Sequence, residues 1–95
     1  MMDKGLTDTL RDTIRRVHGC DSRWLKSEPV AETYWKGEVQ VFEVIGHATA
    51  KRCYGWSQSV GRERRMHVVL EGVAVDSAAK AVRATIAARE RTQLF

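Results

Sequence analysis

The stretch EVQVFEVIG, residues 38–46, constrains this chain more than any other. Its β-branched residues predict a strand, yet Val39 and Val41 are apolar on one phase while Phe42 and Val44 are apolar on the other. Successive strand side chains point to opposite faces of a sheet. Either the strand is central and covered on both faces, or a bulge near Phe42 shifts its phase. In both cases the rest of the chain must supply apolar surfaces to pack against it.

Leu6, Leu10, Ile14 and Val17 recur at helical spacing, with Asp8, Arg11, Asp12, Arg15 and Arg16 around the other face, which predicts an amphipathic helix over residues 5–18 closed by Gly19. Its acids come early and its arginines late, as the helix dipole favours. RWLKSEPVAETYW, residues 23–35, is extended, and Pro29, which has no N–H to donate, places it at a sheet edge or a bulge. A tight turn is expected around Lys36 and Gly37. After a turn at Gly46–Ala48, KRCYGWSQ and RRMHVVLEG read as two further strands joined by a loop around Ser59 to Glu63. A last helix begins after an N-cap at Asp76 or Ser77. Its apolar stripe is Val75, Ala79, Val82 and Ile86, with Lys80, Arg83 and Arg89 beside it and RTQLF as a tail.

A chain of 95 residues has room for one core, so a single domain over 1–95 is expected. Short links make sequential strands antiparallel neighbours. The expected fold is an α+β two-layer sandwich of order α-β-β-β-β-α, or the same order with three long strands, in which both helices cover one face of a meander sheet. The opposite face is then left for solvent, a partner or a ligand.

The net charge of +4 is unevenly placed. Residues 51–70 hold Lys51, Arg52, Arg62, Arg64 and Arg65 against Glu63, and the remaining bases and acids balance. Attraction to an acidic partner should therefore concentrate in that stretch. In its first strand, Cys53 and Gly55 are small enough to let a helix approach, which turns Arg52, Tyr54 and Trp56 to the uncovered face. Arginines interleaved with aromatics are suited to neutralising phosphates and stacking on unpaired bases. Two other readings remain open: Tyr54 and Trp56 are core residues, or an aromatic sheet face closes a homodimer.

The start of the chain has no uninterrupted apolar run, so neither a signal peptide nor a membrane span is expected, and a cytoplasmic location follows. Cys20 and Cys53 read as reduced thiols. His18, Cys20, His47 and Cys53 match no common zinc spacing, so no metal or other cofactor is expected. No Gly-rich phosphate loop, Ser-His-Asp pattern or carboxylate pair stands out, and no catalytic residue is assigned. Cys53 beside Arg52 and Tyr54, and His67, are the two candidates an enzyme reading would need.

The element order resembles that of the double-stranded-RNA-binding domain over most of the chain. That family has three strands, a Gly-Pro-x-His loop and a Lys-Lys-x-Ala-Lys start to its second helix. YWKGEV and SAAKAVR stand in the corresponding places here, and Lys80 matches in character. The resemblance implies nucleic-acid contact that includes Lys80. The runs HGC, ETYW, EVQVFEV, GHATAKRCYGW and VDSAAKAVRATI are also similar to those of short bacterial proteins generally labelled hypothetical. Over residues 17–88 that similarity implies a cytoplasmic bacterial protein and transfers no site residue. The sequence thus points to a small binding module rather than an enzyme. Its candidate contacts are Arg52, Tyr54, Trp56, Arg62, Arg64, Arg65 and Lys80, and its candidate partners are nucleic acid or a second copy of the chain.

Overall fold

A computed structural model describes residues 4–33 and 35–93, with the side chains of 5–33 and 35–88. The order is α1 (Lys4–His18), β1 (Asp21–Glu32), β2 (Trp35–Ile45), β3 (Arg52–Val60), β4 (Glu63–Leu70) and α2 (Ala78–Gln93). The four strands form one antiparallel meander sheet in the order β1-β2-β3-β4, and both helices pack against it. This is the expected α+β architecture.

The helices lie on opposite faces, which corrects the expected two-layer arrangement. Leu10 and Ile14 of α1 cluster with Phe42, Val44 and Cys53, whereas Ala78, Ala81 and Val82 of α2 cluster with Val39, Val41, Tyr54 and Trp56. Those two sets alternate along β2 and along β3. Two helices on one face would have left one of the sets in water, a cost of about 2 kcal/mol for each large apolar side chain. The double phase of residues 38–46 is therefore that of a central strand covered on both sides.

The bulge exists, but on the neighbouring strand. The β1–β2 register runs from Asp21↔Ile45 to Trp24↔Phe42 and resumes at Lys26↔Val41, so Leu25 is the extra residue. Pro29 lies in an edge strand, as its missing N–H requires. The first hairpin turns between the paired Glu32 and Trp35. Lys36 and Gly37, expected at that turn, instead lie within β2. The second hairpin turns at Gly61 and Arg62, between the paired Val60 and Glu63. Gly61 has φ 61° and, among the described residues, no non-glycine residue has positive φ, which fits a two-residue turn with glycine in first place. Ser77 is the N-cap of α2, its Oγ accepting the Lys80 N–H at 3.3 Å. The side chain of Arg89 and residues Leu94 and Phe95 of the expected tail lie outside the described residues.

Helix α1 spans the sheet from edge to edge. Arg11 Nε donates to the carbonyl of Ser22 on β1 at 3.0 Å, and His18 Nε2 meets the carbonyl of Val68 on β4 at 3.0 Å. A carbonyl can only accept, so Nε2 of His18 carries the proton. Between those ends Leu10 presses on β3, where a Cβ on Gly55 would stand 3.3 Å from its Cδ2 and 3.4 Å from Phe42 Cε2.

Because Gly55 lets α1 sit this close, Gly55→Val should lower unfolding stability by about 1–3 kcal/mol, the usual cost of overpacking. Leu10→Ala should cost about 2–5 kcal/mol through the opposite fault, a cavity. Urea denaturation of the two variants checks both, and a neutral Gly55→Val would mean that α1 does not bear on β3.

Candidate functional site

The sheet is not continuous across its middle. Pairing between β2 and β3 covers Gln40↔Gly55 to Glu43↔Arg52, with Val44 N–H donating to Lys51 O at 2.9 Å below it. Beyond Gln40 and Gly55, residues 35–39 remain paired to β1 and residues 56–60 to β4, but the described residues show no pairing between the two hairpins. A bulge bends its strand and increases the local twist. The Leu25 bulge falls at the level where β2 parts from β3, and the two hairpin arms diverge there.

On the α2 side the gap is bridged by aromatic rings. Trp35 of β2 lies 6.1 Å from Trp56 of β3 at a 50° tilt, and Trp56 stacks on His67 of β4 at 5.3 Å. His67 Nε2 lies 3.0 Å from Gln58 Oε1. On the α1 side, beyond the first turn of that helix, the gap remains a cleft of about 680 Å³. Its walls include Trp24, Lys36 and Gln40 from the first hairpin and Ser57, Ser59 and Arg64 from the second.

The cleft is a polar site lined by Lys26, Lys36 and Arg64 and by one acid, Glu38, with Lys26 already paired to Glu28. Lys36 and Arg64 face it from opposite hairpins, Arg62 occupies the adjacent turn, and among the described residues none of the three is paired with an acid. Arg65 points to the other face of β4 and stands 3.8 Å from Glu63. At the base of the cleft Gln40 is 7% exposed, and its Oε1 accepts from Trp24 Nε1 at 2.8 Å and from Ser27 Oγ at 2.6 Å.

The seven residues singled out from the sequence are therefore divided. Arg62, Arg64 and Arg65 come together at the hairpin tip. Arg52 begins β3, roughly 26 Å from that tip at about 3.3 Å per residue. Lys80 lies in the first turn of α2, paired with Asp76 at 2.9 Å, which holds the Asp76 carboxyl below its usual range. Tyr54 and Trp56 do occupy the phase opposite Cys53 and Gly55, but they are not uncovered: each is 2% exposed, under α2. Burial, with Glu71 adding to it and Arg52 opposing, raises the Tyr54 phenol above its ordinary value. The expected uncovered aromatic face is corrected accordingly, and Trp24, Lys36, Gln40, Ser57 and Ser59 are the cleft residues that sequence reasoning passed over.

The groups considered for chemistry are committed elsewhere. Cys53 is fully enclosed, and burial pushes its thiol up to about 12, with Cys20 adding to the rise and the backbone amides of Tyr54 and Val69 opposing it. Both cysteines are free and buried. His47 Nδ1 accepts the amides of Thr49 and Ala50 at 3.1 and 2.9 Å. Among the described residues no three His, Cys, Asp or Glu side chains gather as a metal site, and no helix is long and apolar enough to cross a membrane. Compared with protein-family models, curated proteins and solved structures, the chain finds no match.

The Cys53 thiol gives a signed pH dependence. It keeps its proton in the folded state up to about 12 but loses it near 9.0 when unfolded, so between those values the folded state holds more protons. Stability should be highest below pH 9 and fall as pH rises through that window. Tyr54, raised above 10.0, adds to the fall in the same direction. Urea midpoints at pH 8 and pH 10.5 measure it, and equal midpoints would contradict it. In the same spirit, iodoacetamide at pH 8 should label Cys53 in urea and leave it intact in the native protein, as mass spectrometry of the digest would reveal.

Proposed function

We propose that this protein is a non-enzymatic cytoplasmic module that binds single-stranded nucleic acid in the cleft between its two hairpins. The observation that carries the reading is the placement of Lys36 and Arg64 on opposite walls of the cleft, with Arg62 in the adjacent turn and none of the three in an ion pair among the described residues, against one lining carboxylate, Glu38. Cations that face one another across a groove attract an anion that runs between them, and a phosphodiester chain is such an anion. The cleft's size is that of a drug-sized ligand, which suits one or two unstacked nucleotides rather than a base-paired duplex. The half-buried indole of Trp24 supplies a flat apolar wall, as single-strand binding sites use. Arg65 adds to the field of the tip, while Arg52 and Lys80 lie outside the contact.

Titration of labelled 12-nucleotide single strands at 50 and 200 mM salt tests the reading, with the solution mass recorded alongside. Three phosphate contacts predict a slope of about 2 in log affinity against log salt, hence a loss of roughly 15-fold between those conditions. Arg62→Ala with Arg64→Ala should flatten the slope by more than half. Arg52→Ala and Lys80→Ala should leave it unchanged. No binding at low salt, together with a dimeric mass, would replace this reading with that of a homodimeric interaction domain.

A further inference from the structure

Gln40 is a polar residue 93% removed from solvent, and its orientation is dictated by its neighbours. An indole N–H can only donate, so the Gln40 atom 2.8 Å from Trp24 Nε1 is the carbonyl oxygen. The Ser27 hydroxyl donates to the same oxygen at 2.6 Å, which fills its second lone pair. The amide NH2 is thereby turned away from Trp24 and Ser27. Among the described residues it has no protein partner, yet it is not among the buried polar atoms left without one, so it meets the cleft that Gln40 lines. A donor fixed in direction at the base of a groove is a recognition element, because leaving it unpaired on binding costs the desolvation of the group.

We infer that this amide reads one unpaired base by donating to a keto oxygen, O4 of thymine or uracil or O6 of guanine. This rests on the nucleic-acid reading of the cleft and names what the cleft selects. An amino group in the same place, N4 of cytosine or N6 of adenine, sets donor against donor. Arg64 and Lys36 hold the phosphates on either side of that base, and the hydroxyls of Ser57 and Ser59, able to donate or accept, fit either kind of neighbouring edge. Gln40 is thus the residue that gives the site a preference, while the arginines give it strength.

Thymine and cytosine are both pyrimidines and present opposite groups at position 4, a keto acceptor and an amino donor, so they contrast the two cases. Eight-nucleotide oligo(dT) and oligo(dC) are titrated at pH 8 and low salt against the wild-type chain, Gln40→Glu and Trp24→Phe. The wild type should favour oligo(dT) by about fivefold, the value of one hydrogen bond. In Gln40→Glu one carboxylate oxygen keeps the bonds from Trp24 and Ser27 while the other replaces the NH2, so the preference should reverse to oligo(dC) although overall affinity falls. Trp24→Phe removes the donor that locks the amide. It should bring the ratio close to one and preserve the salt dependence, which keeps the inference testable if Gln40→Glu does not fold. Salt-dependent binding with equal wild-type affinities would overturn the base-reading role and leave the nucleic-acid reading standing. Failure of both oligonucleotides to bind would remove both.

Discussion

Four residue pairs, Gln40↔Gly55 to Glu43↔Arg52, join the two hairpins of this protein, and the other features depend on that narrow ladder. Where it ends, backbone hydrogen bonding between the hairpins gives way to packing: Trp35, Trp56 and His67 bridge the gap on one face. The tilted contact of Trp35 with Trp56, itself stacked on His67, holds two hairpins side by side without fixing a hydrogen-bond register between them. The arms therefore meet as aromatic surfaces on the α2 side and leave a polar cleft on the α1 side. The same four pairs set the phase of both central strands. That phase decides which residues each helix must cover.

Most of the architecture was legible because it follows from periodicity. The apolar spacing of Leu6, Leu10, Ile14 and Val17 gave α1 to within a residue, and Pro29 correctly marked an edge. The double phase of Val39, Val41, Phe42 and Val44 did show that β2 needs cover on both faces, but no pattern in a single strand says on which side its distant helices fall, and both were expected on one face. The first hairpin was misplaced because Lys36-Gly37 looks like a turn. In the structure Gly37 serves packing instead, with a Cβ there standing 2.8 Å from the Trp35 ring.

The site was harder to read than the fold for a physical reason. A cleft between diverging strands is a property of twist, and the one extra residue that a twist-raising bulge needs, Leu25 here, carries no compositional mark. The charge excess at Arg62, Arg64 and Arg65 was visible, whereas Lys36, which faces Arg64 across the cleft, was hidden in a presumed turn. Gln40 did leave a signal: on its own face it stands beside Phe42 and Val44, and a polar residue within a buried apolar row needs a partner. Trp24, sixteen residues earlier, is that partner.

The contacts of α1 with the sheet edges bear on how this molecule coexists with other copies of itself. Free carbonyls along an edge strand are a template for adding strands from another chain. Here Arg11 occupies one such carbonyl on β1 and His18 one on β4, and Pro29 removes a donor from the first edge. Both outer margins are thus obstructed against fibre-like growth. The unpaired strand stretches that remain, 35–39 and 56–60, face each other inside the molecule, where a neighbouring sheet cannot dock edge-on. The fold keeps a pair of strand edges available in its interior while its perimeter resists polymerisation.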